Sequence, residues 1–343
     1  MLFHPTCPDT SDIESYDAES CSLTDPSRRT FLTGIGALLA ATAFSSVPSF
    51  SEAAQLNRKP PDHSLIRDFR TARPAPRVNP LTVNIESHIK SLRQTGQVAA
   101  NEQTAWLVYD FTTRQYLTAI NANRPYQSAS MVKPFIALAF FHKVREGQLP
   151  YTSFQRNRME AMIQRSDNSA TNYFIALLNR TSRRSGPAEA ERTLKQRHPG
   201  IFRNTRIVEH IPSGGRTYRN KASALDYHRF LHALWYDQLP YSAELKRLMH
   251  LPNRDRVYSG ARGVARQTQV IDKTGTTAQL CGDMGILIAQ GRNGRRYPYT
   301  FVGIIEKARS AGNYGAWKDA RGNVIRQVSS MAYAHLQRMH NLV

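Results

Sequence analysis

The sequence predicts an α/β fold of the segregated α+β kind, in which both ends of the chain build one antiparallel sheet of about five strands. Two segments rich in β-branched and aromatic residues, 105–120 and 268–305, lie far apart in the chain. The residues between them, 129–236, show helical patterns and are expected to form an inserted all-helical subdomain. Helical patterns at 79–96 and 324–339 are expected to flank the sheet.

The first predicted element is a helix that begins at Asn79-Pro80, because asparagine caps helix starts and proline suits the first helical position. Three apolar side chains follow at helical spacing, at Ile85, Ile89 and Leu92. Gly96 then ends the helix. Two strands are expected next, over residues 105–109 and 115–120, with a turn between them.

The central block predicts several helices. An apolar helix is expected over residues 129–143, and two helices over 153–180 that are interrupted by a Ser-Asp-Asn sequence. Ser223 and Asp226 have the spacing of a capping box, which predicts a helix that reaches about residue 236.

Three further strands complete the predicted sheet, over residues 268–271, 284–289 and 300–305. The last two are expected to form a hairpin around the Gly-Arg-Asn-Gly turn at 291–294. A helical pattern over 324–339 closes the chain.

The N-terminal segment carries the pattern of a twin-arginine export signal. Arg28 and Arg29 precede an apolar run over 31–47, and small residues follow at 51–54. We therefore predict that residues 1–54 are an export signal with a long N-terminal extension, and that the protein reaches the periplasm. The alternative is an inner-membrane anchor with the domain facing the periplasm, although the apolar run is short for a spanning helix.

The charge of the chain is strongly basic, with a formal net charge of +20. Residues 1–54 hold two basic and seven acidic side chains, so the remainder has 44 basic and 19 acidic side chains and a charge of +25. Such a charge favours polyanions. For an exported protein, anionic envelope polymers fit better than nucleic acid, and the alternative is an evenly solvated basic surface. We predict a monomer.

Domain boundaries and cysteines follow from the same segments. Residues 55–78 are rich in proline and basic residues and predict a linker to a catalytic domain over 79–343. Cys7 and Cys21 precede the twin-arginine pattern, which leaves Cys281 alone in the exported part and excludes an intramolecular disulfide there. We expect Cys281 to follow a strand and to be buried and inert.

Three short motifs carry the predicted chemistry. They are Ser-Met-Val-Lys at 130–133, Ser-Asp-Asn at 166–168 and Lys-Thr-Gly at 273–275. Together they supply a serine, two lysines, a second hydroxyl and an amide, which suits covalent acyl transfer without a histidine, a metal or a cofactor. The spacing at Ser87 and Lys90 is the same as at Ser130 and Lys133, but no partner motifs follow it, and we interpret it as a solvated helix face.

Each motif residue has an expected role. Ser130 is the nucleophile, and Lys133 takes its proton as a neutral amine, because burial and the charge of Lys273 both lower its pKa. Ser166 would carry a proton to the leaving nitrogen. The expected substrate-binding residues are Asn168, Thr274, Gly275 and Thr276, with Lys273 and Thr274 holding a carboxylate. Backbone N–H groups of Ser130 and Thr276 would form an oxyanion hole.

This ordered set resembles the signature of class A β-lactamases and penicillin-binding proteins, from about Asn79 to the C-terminus. The resemblance implies an α/β sandwich with the active site between the sheet and a helical part. It implies a serine hydrolase that cleaves β-lactams or peptide-like amides, and β-lactam hydrolysis is the favoured hypothesis. The alternative is a cell-wall D,D-peptidase of the penicillin-binding type. An alternative of another class is a non-catalytic module that binds peptidoglycan.

Two features depart from the class A pattern. Those enzymes carry a glutamate that activates the deacylating water, and registering this chain on Ile211-Pro212 places Asn204 at that position. Glu209 lies close by at a different offset, and it is our candidate for the base. Only 36 positions separate Ser130 from Ser166, so the helical subdomain is expected to be shortened.

A histidine pair on one helix face offers a competing interpretation. His228 and His232 are four residues apart, a spacing that metal-binding pairs also use. No glutamate lies between them in the hydrolase pattern, and no third ligand is evident. We therefore favour a packed or solvated helix face over a metal site.

Overall fold

The computed structural model describes residues 79–343. The predicted export signal over 1–54 and the predicted linker over 55–78 lie outside the described residues. The described helices are α1 (Pro80–Gln94), α2 (Lys133–Arg145), α3 (Ser153–Ile163), α4 (Asn168–Asn179), α5 (Gly186–Arg197), α6 (Ala224–Trp235), α7 (Ser242–Met249) and α8 (Tyr314–His340). The described strands are β1 (Gln103–Asp110), β2 (Gln115–Ile120), β3 (Pro125–Gln127), β4 (Lys221–Ser223), β5 (Gln269–Thr276), β6 (Leu280–Gln290) and β7 (Arg296–Glu306).

The main sheet has five antiparallel strands in the order β2-β1-β7-β6-β5. β1 pairs with β7 along its whole length, from Gln103 opposite Glu306 to Asp110 opposite Tyr299. This pairing joins the N-terminal hairpin to the C-terminal strands, so the predicted sheet built from both chain ends is confirmed. β5, which carries the Lys-Thr-Gly motif, lies at one edge of the sheet.

Helices cover both faces of the sheet, which confirms the predicted sandwich. Neighbouring residues of β1 point to opposite faces, as the strand geometry requires. Trp106 belongs to the apolar core shared with α1 and α8. Leu107 belongs to the core shared with α2 and α6. The site described below lies on the second of these two faces, where the β5 edge meets α2.

α2 runs through the centre of the helical subdomain. Every residue from Lys133 to Lys143 is buried, as expected for a helix that is packed on all sides. Near its C-terminal end, Lys143 Nζ lies 2.7 Å from Glu189 Oε1 of α5, and both side chains are buried. The helix that presents Lys133 is therefore fixed by the surrounding helices. Within residues 79–343, no helix combines the length and the apolarity needed to cross a membrane.

Several elements differ from the sequence predictions. α5, α7 and the two-stranded sheet of β3 and β4 were not predicted, because α5 is highly charged and the other elements are short. α8 begins at Tyr314 rather than near residue 324, since the Asn313 side chain accepts the Ala316 N–H and caps the helix there. Cys281 lies within β6 instead of after a strand, and it is fully buried as predicted.

Candidate active site

Ser130 lies on a short 3₁₀ turn (Ala129–Val132), called the Ser130 turn below, which leads directly into α2. Ala129 is fully buried and adopts the left-handed conformation, with φ of 44°. Such a backbone costs a non-glycine residue roughly 1–3 kcal/mol, so the surroundings must hold it in place. A hydrogen bond from Ser128 N–H to Asn220 O at 2.8 Å ties the start of the turn to β4.

The Lys133 ammonium faces the Ser-Asp-Asn motif. Its Nζ donates to the carbonyl oxygen of Ser166, lies 3.4 Å from Ser166 Oγ and donates to Asn168 Oδ1 at 3.0 Å. Ser166 adopts the left-handed conformation, with φ of 60°, in the loop between α3 and α4. The structure therefore brings the first two motifs into direct contact, although 36 positions separate Ser130 from Ser166.

The electrostatics of Lys133 favour a neutral amine near pH 7. The side chain is completely buried, and burial together with the charge of Lys273 lowers its pKa to about 7. Asp167 acts in the opposite direction, but its carboxylate accepts the Ala170 N–H at 2.6 Å and caps α4. A lysine with this pKa can accept a proton at neutral pH, as a general base must.

The Lys273 side chain lies on the β5 edge and is also buried. Burial lowers its pKa to about 8, although the carboxylates of Asp272 and Asp283 favour the charged form. Its Nζ lies 3.1 Å from the carbonyl oxygen of Thr274. At neutral pH this group keeps a positive charge that can hold a substrate carboxylate.

A cavity of about 440 Å³ connects the first two motifs with Thr276, the residue that follows the Lys-Thr-Gly motif, whereas Lys133, Lys273, Thr274 and Gly275 are not among its described lining residues. Four of the predicted site residues line it, namely Ser130, Ser166, Asn168 and Thr276. Its remaining lining residues are Ile211, Gly214, Gly215, Arg216, Thr217, Tyr218, Thr277, Ala278 and Tyr314. The cavity is thus bounded by the Ser130 turn, by the end of β5 and by a loop around residues 211–218.

A family model described as "Beta-lactamase enzyme family" matches residues 85–153 and 155–336, which is most of the chain. The chain belongs to the beta-lactamase enzyme family. It is therefore a serine hydrolase of the β-lactamase-like kind, as the three motifs predicted. Comparison with curated protein sequences gives no match.

Solved structures support the fold of this beta-lactamase family member. PBP-A is 22% identical over 78% of this chain and 98% of its own, with a TM-score of 0.58. A point mutant of PBP-A, described as an acyl-enzyme complex with penicillin G, is 21% identical over 78% and 98%, also with a TM-score of 0.58. A class A β-lactamase described as the last common ancestor of Gram-negative bacteria is 18% identical over 74% and 99%, with a TM-score of 0.56.

The loop that precedes α6 differs from the register expected for this family. Asn204, which the sequence register placed at the glutamate position, donates from its side chain to the backbone oxygen and Oδ1 of Asn123. Its backbone N–H donates to Asp226 Oδ2 at 2.8 Å, which ties it to the start of α6. The register is therefore wrong at Asn204, because this residue belongs to the base of the loop.

Glu209 is not among the described residues that line the cavity. Its Oε1 accepts the Thr217 hydroxyl at 2.7 Å and the Arg219 N–H at 2.8 Å, so the carboxylate ties the two ends of the loop together. The candidate base of the sequence interpretation thus has a bonding pattern that suits a loop clamp.

Between Asn204 and Ile211, only Ile211 is among the described residues that line the cavity with Ser130 and Ser166. Its backbone is fixed by Asn172 of α4, whose Nδ2 donates to Ile211 O and whose Oδ1 accepts Ile211 N–H, both at 2.8 Å. This part of the cavity wall is therefore formed by an aliphatic side chain, only 4% exposed, that cannot accept a proton from water.

Arg256 is a site residue that the sequence did not reveal. Its Nη2 donates to Thr276 Oγ1 at 2.7 Å, and its Nη1 lies 3.1 Å from the carbonyl oxygen of Gly282. Its backbone N–H donates to Asp283, and burial raises the pKa of that carboxyl to about 7. Arg256 thus fixes the end of β5 through its hydrogen bond to Thr276. Among 46 basic residues no local pattern singles it out.

The close packing of β5 on the Ser130 turn yields a testable prediction. A Cβ at Gly275 would lie 2.9 Å from Met131 Cγ and 3.2 Å from the Met131 backbone nitrogen. Gly275→Ala must therefore displace the turn, and we expect acylation of Ser130 to slow by roughly 10²-fold. Stopped-flow acylation with a chromogenic β-lactam measures this loss.

Gly282→Ala is the matched control for Gly275→Ala. A Cβ there would meet mainly the Met131 methyl group, at 2.6 Å, which is the flexible end of the side chain. We expect a smaller loss of rate at a comparable change in Tm. Equal rates for Gly275→Ala and the unmodified protein would contradict the role assigned to this contact.

The histidine pair lies apart from this cavity. His228 is buried, with its Nδ1 2.9 Å from Thr300 Oγ1 and its ring packed against Tyr116. The His228 and His232 ring centroids are 5.9 Å apart. No group of three or more potential metal ligands occurs among residues 79–343. The pair belongs to the packed face of α6 against the sheet.

Proposed function

We propose that this protein is an exported enzyme that forms an acyl-enzyme at Ser130 with β-lactams or peptide-like amides and releases the acyl group slowly. The function is that of a cell-wall D,D-peptidase of the penicillin-binding type. The observation that supports slow release is that Ile211 lines the cavity and that none of the described lining residues is acidic.

The proposed acylation begins when Ser130 Oγ attacks the carbonyl carbon of the amide. Lys133, neutral in part of the population near its pKa of about 7, accepts the hydroxyl proton. The tetrahedral oxyanion is stabilised by the backbone N–H groups of Ser130 and Thr276, two residues that line the cavity. The C–N bond then breaks, and the leaving nitrogen takes a proton through the Ser166 hydroxyl, which lies 3.4 Å from Lys133 Nζ.

In the proposed mechanism, the substrate is oriented by its own carboxylate, which lies next to the scissile amide. The buried Lys273 ammonium and the Thr274 hydroxyl bind this carboxylate. Asn168, whose Oδ1 accepts from Lys133, is exposed to the cavity and offers its amide to the substrate backbone. Gly275 allows the strand to lie against the Ser130 turn, so that both ends of the substrate are held close to Ser130.

Release of the acyl group requires a nucleophile and a base that accepts its proton. The Glu209 carboxylate already accepts hydrogen bonds from the Thr217 hydroxyl and the Arg219 N–H. The aliphatic Ile211 side chain cannot accept a proton. The acyl-enzyme is then long-lived towards water and available to an amine acceptor. The PBP-A mutant described above is an acyl-enzyme complex with penicillin G, which supports acyl-enzyme formation by a protein of similar fold.

β-Lactam hydrolysis is the second candidate function. The family match and the similarity to class A β-lactamases favour it. It requires a deacylating base, a role that Ile211 cannot fill, and movement of the loop that contains Glu209 would have to supply one. The two functions share the chemistry at Ser130 and differ in the lifetime of the acyl-enzyme.

The proposed location and partners follow from the charge and the N-terminal pattern. We propose export to the periplasm, where peptidoglycan stem peptides or β-lactams are the substrates, and action as a monomer. The +25 charge of the part after residue 54 supports an additional attraction to anionic envelope polymers.

One experiment tests the proposed function. Residues 55–343 are incubated with a chromogenic cephalosporin while colour and intact mass are followed together. We expect a persistent mass increase of one acyl group that is absent in Ser130→Ala and present in Ser87→Ala, the exposed serine with the same spacing to a lysine. Rapid turnover without an adduct supports the β-lactamase alternative. No adduct and no turnover with β-lactams or D-Ala-D-Ala peptides would leave only the non-catalytic binding module.

A further inference from the structure

The loop over residues 212–219 forms one wall of the cavity and lies directly against the predicted substrate-binding amide. Gly214 and Gly215 have positive φ angles of 73° and 69°, a conformation that glycine adopts without strain. A Cβ on Gly215 would lie 3.1 Å from Asn168 Nδ2. The loop conformation is therefore specified by the sequence and closes tightly on the site.

Glu209 fixes the second half of this loop. Its carboxylate accepts the Thr217 hydroxyl and the Arg219 N–H, as described above. Thr217 N–H also donates to Gly215 O at 2.9 Å. The residue enclosed by these bonds is Arg216, which is exposed and is one of the residues that line the cavity.

The charge of Arg216 is not neutralised by the protein. Within residues 79–343, no carboxylate forms an ion pair with it, and none of the described cavity-lining residues is acidic. The Glu209 carboxylate instead accepts the Thr217 hydroxyl, and the Asp167 carboxylate accepts the Ala170 N–H and caps α4. Arg216 thus brings an unpaired guanidinium to the cavity that Ser130 and Ser166 also line, with its N–H groups available to a ligand.

Two tyrosines border the same part of the cavity. Tyr218 follows Arg216 in the loop, and Tyr314, 45% exposed, projects from the start of α8. A cavity lined by two tyrosines and an arginine suits a ligand with an apolar stem and a carboxylate end. Lys273 and Thr274, the proposed ligands of the carboxylate next to the scissile bond, are not among the described residues that line this cavity.

We propose that Arg216 is a specificity-determining residue that binds a second carboxylate, carried by the acyl side chain of the substrate. The preferred acyl donors are then peptides or β-lactams whose acyl portion bears a free carboxylate. This inference rests on the proposed acylation of Ser130, and the test separates the two.

The test compares carbenicillin with benzylpenicillin, which differ only by a carboxylate on the acyl side chain. Second-order acylation rate constants are measured by intact mass for the unmodified protein, Arg216→Gln and Arg216→Lys. We expect the carbenicillin-to-benzylpenicillin ratio to fall roughly three- to tenfold in Arg216→Gln. Arg216→Lys keeps the charge and is expected to retain most of the ratio.

Arg219→Gln is the matched control, because Arg219 is an exposed cation of the same loop that does not line the cavity. Its ratio should stay at the value of the unmodified protein. High salt should lower the ratio in the unmodified protein and leave it unchanged in Arg216→Gln. An unchanged ratio in Arg216→Gln overturns the assignment.

A binding measurement keeps the inference testable if neither penicillin acylates Ser130, an outcome that overturns the proposed function alone. Calorimetry on Ser130→Ala compares N-succinyl- with N-butyryl-D-alanyl-D-alanine, where only the first carries an extra carboxylate. We expect tighter binding of the succinyl peptide, and loss of this preference when Arg216→Gln is added. Equal affinity for both peptides in Ser130→Ala overturns the subsite.

Discussion

Replacing Lys133 with methionine is expected to lower the acylation rate of Ser130 by roughly 10²–10⁴-fold, the usual contribution of a general base. Methionine fills a similar volume and stays neutral, so the central helix keeps its packing. What is lost is the amine that accepts the serine proton, together with its bonds to Ser166 and Asn168. Acylation by a chromogenic cephalosporin in single-turnover mode measures the change.

The pH profile separates the chemical role of Lys133 from a structural one. With the unmodified protein, acylation should rise with pH through about 7, as Lys133 loses its proton. It should fall again above about 8, as Lys273 loses the charge that holds the substrate carboxylate. In Lys133→Met the rising limb should disappear while the falling limb remains. A rising limb near pH 7 that persists in Lys133→Met contradicts its assignment as the base.

The sequence predicted the parts of the site that depend on local signals. Asn79 caps α1 through its side chain, and Ser223 accepts the Asp226 N–H at 3.1 Å, so both helix starts lie where the capping residues indicated. The Ser-Asp-Asn motif breaks the helical block because Asp167 caps α4 and Ser166 takes a left-handed backbone. These effects involve residues only a few positions apart.

The loop after α5 could not be placed in this way. Its course depends on Asn172, which is 39 positions before Ile211 and binds its backbone in both directions. Two glycines with positive φ then reverse the chain. Counting positions from Ile211-Pro212 assumes a loop of fixed shape, and this assumption placed Asn204 at the position of the family's glutamate. Arg256 was missed for a related reason, since its bond to Thr276 spans 20 positions.

Ile211 is the position at which deacylation can be tested directly. Ile211→Glu introduces a carboxylate into the cavity lined by Ser130 and Ser166, at a backbone that Asn172 already fixes. A general base that activates water raises the reaction rate by roughly 10²–10⁴-fold. We therefore expect the lifetime of the penicilloyl-enzyme to shorten by about that factor. The lifetime is measured by intact mass after free benzylpenicillin is removed.

Two control variants make the result specific. Ile211→Gln has nearly the same shape as Ile211→Glu but cannot accept a proton, and its adduct should stay long-lived. Asn204→Glu introduces the carboxylate where the sequence register expected it, among Asn123 and Asp226, and should not shorten the lifetime. Burial raises the pKa of a carboxyl group, so the effect of Ile211→Glu should grow with pH as the group ionises. Equal lifetimes for Ile211→Glu and Ile211→Gln would show that water does not reach the ester from this side, and that the missing base alone does not explain slow release.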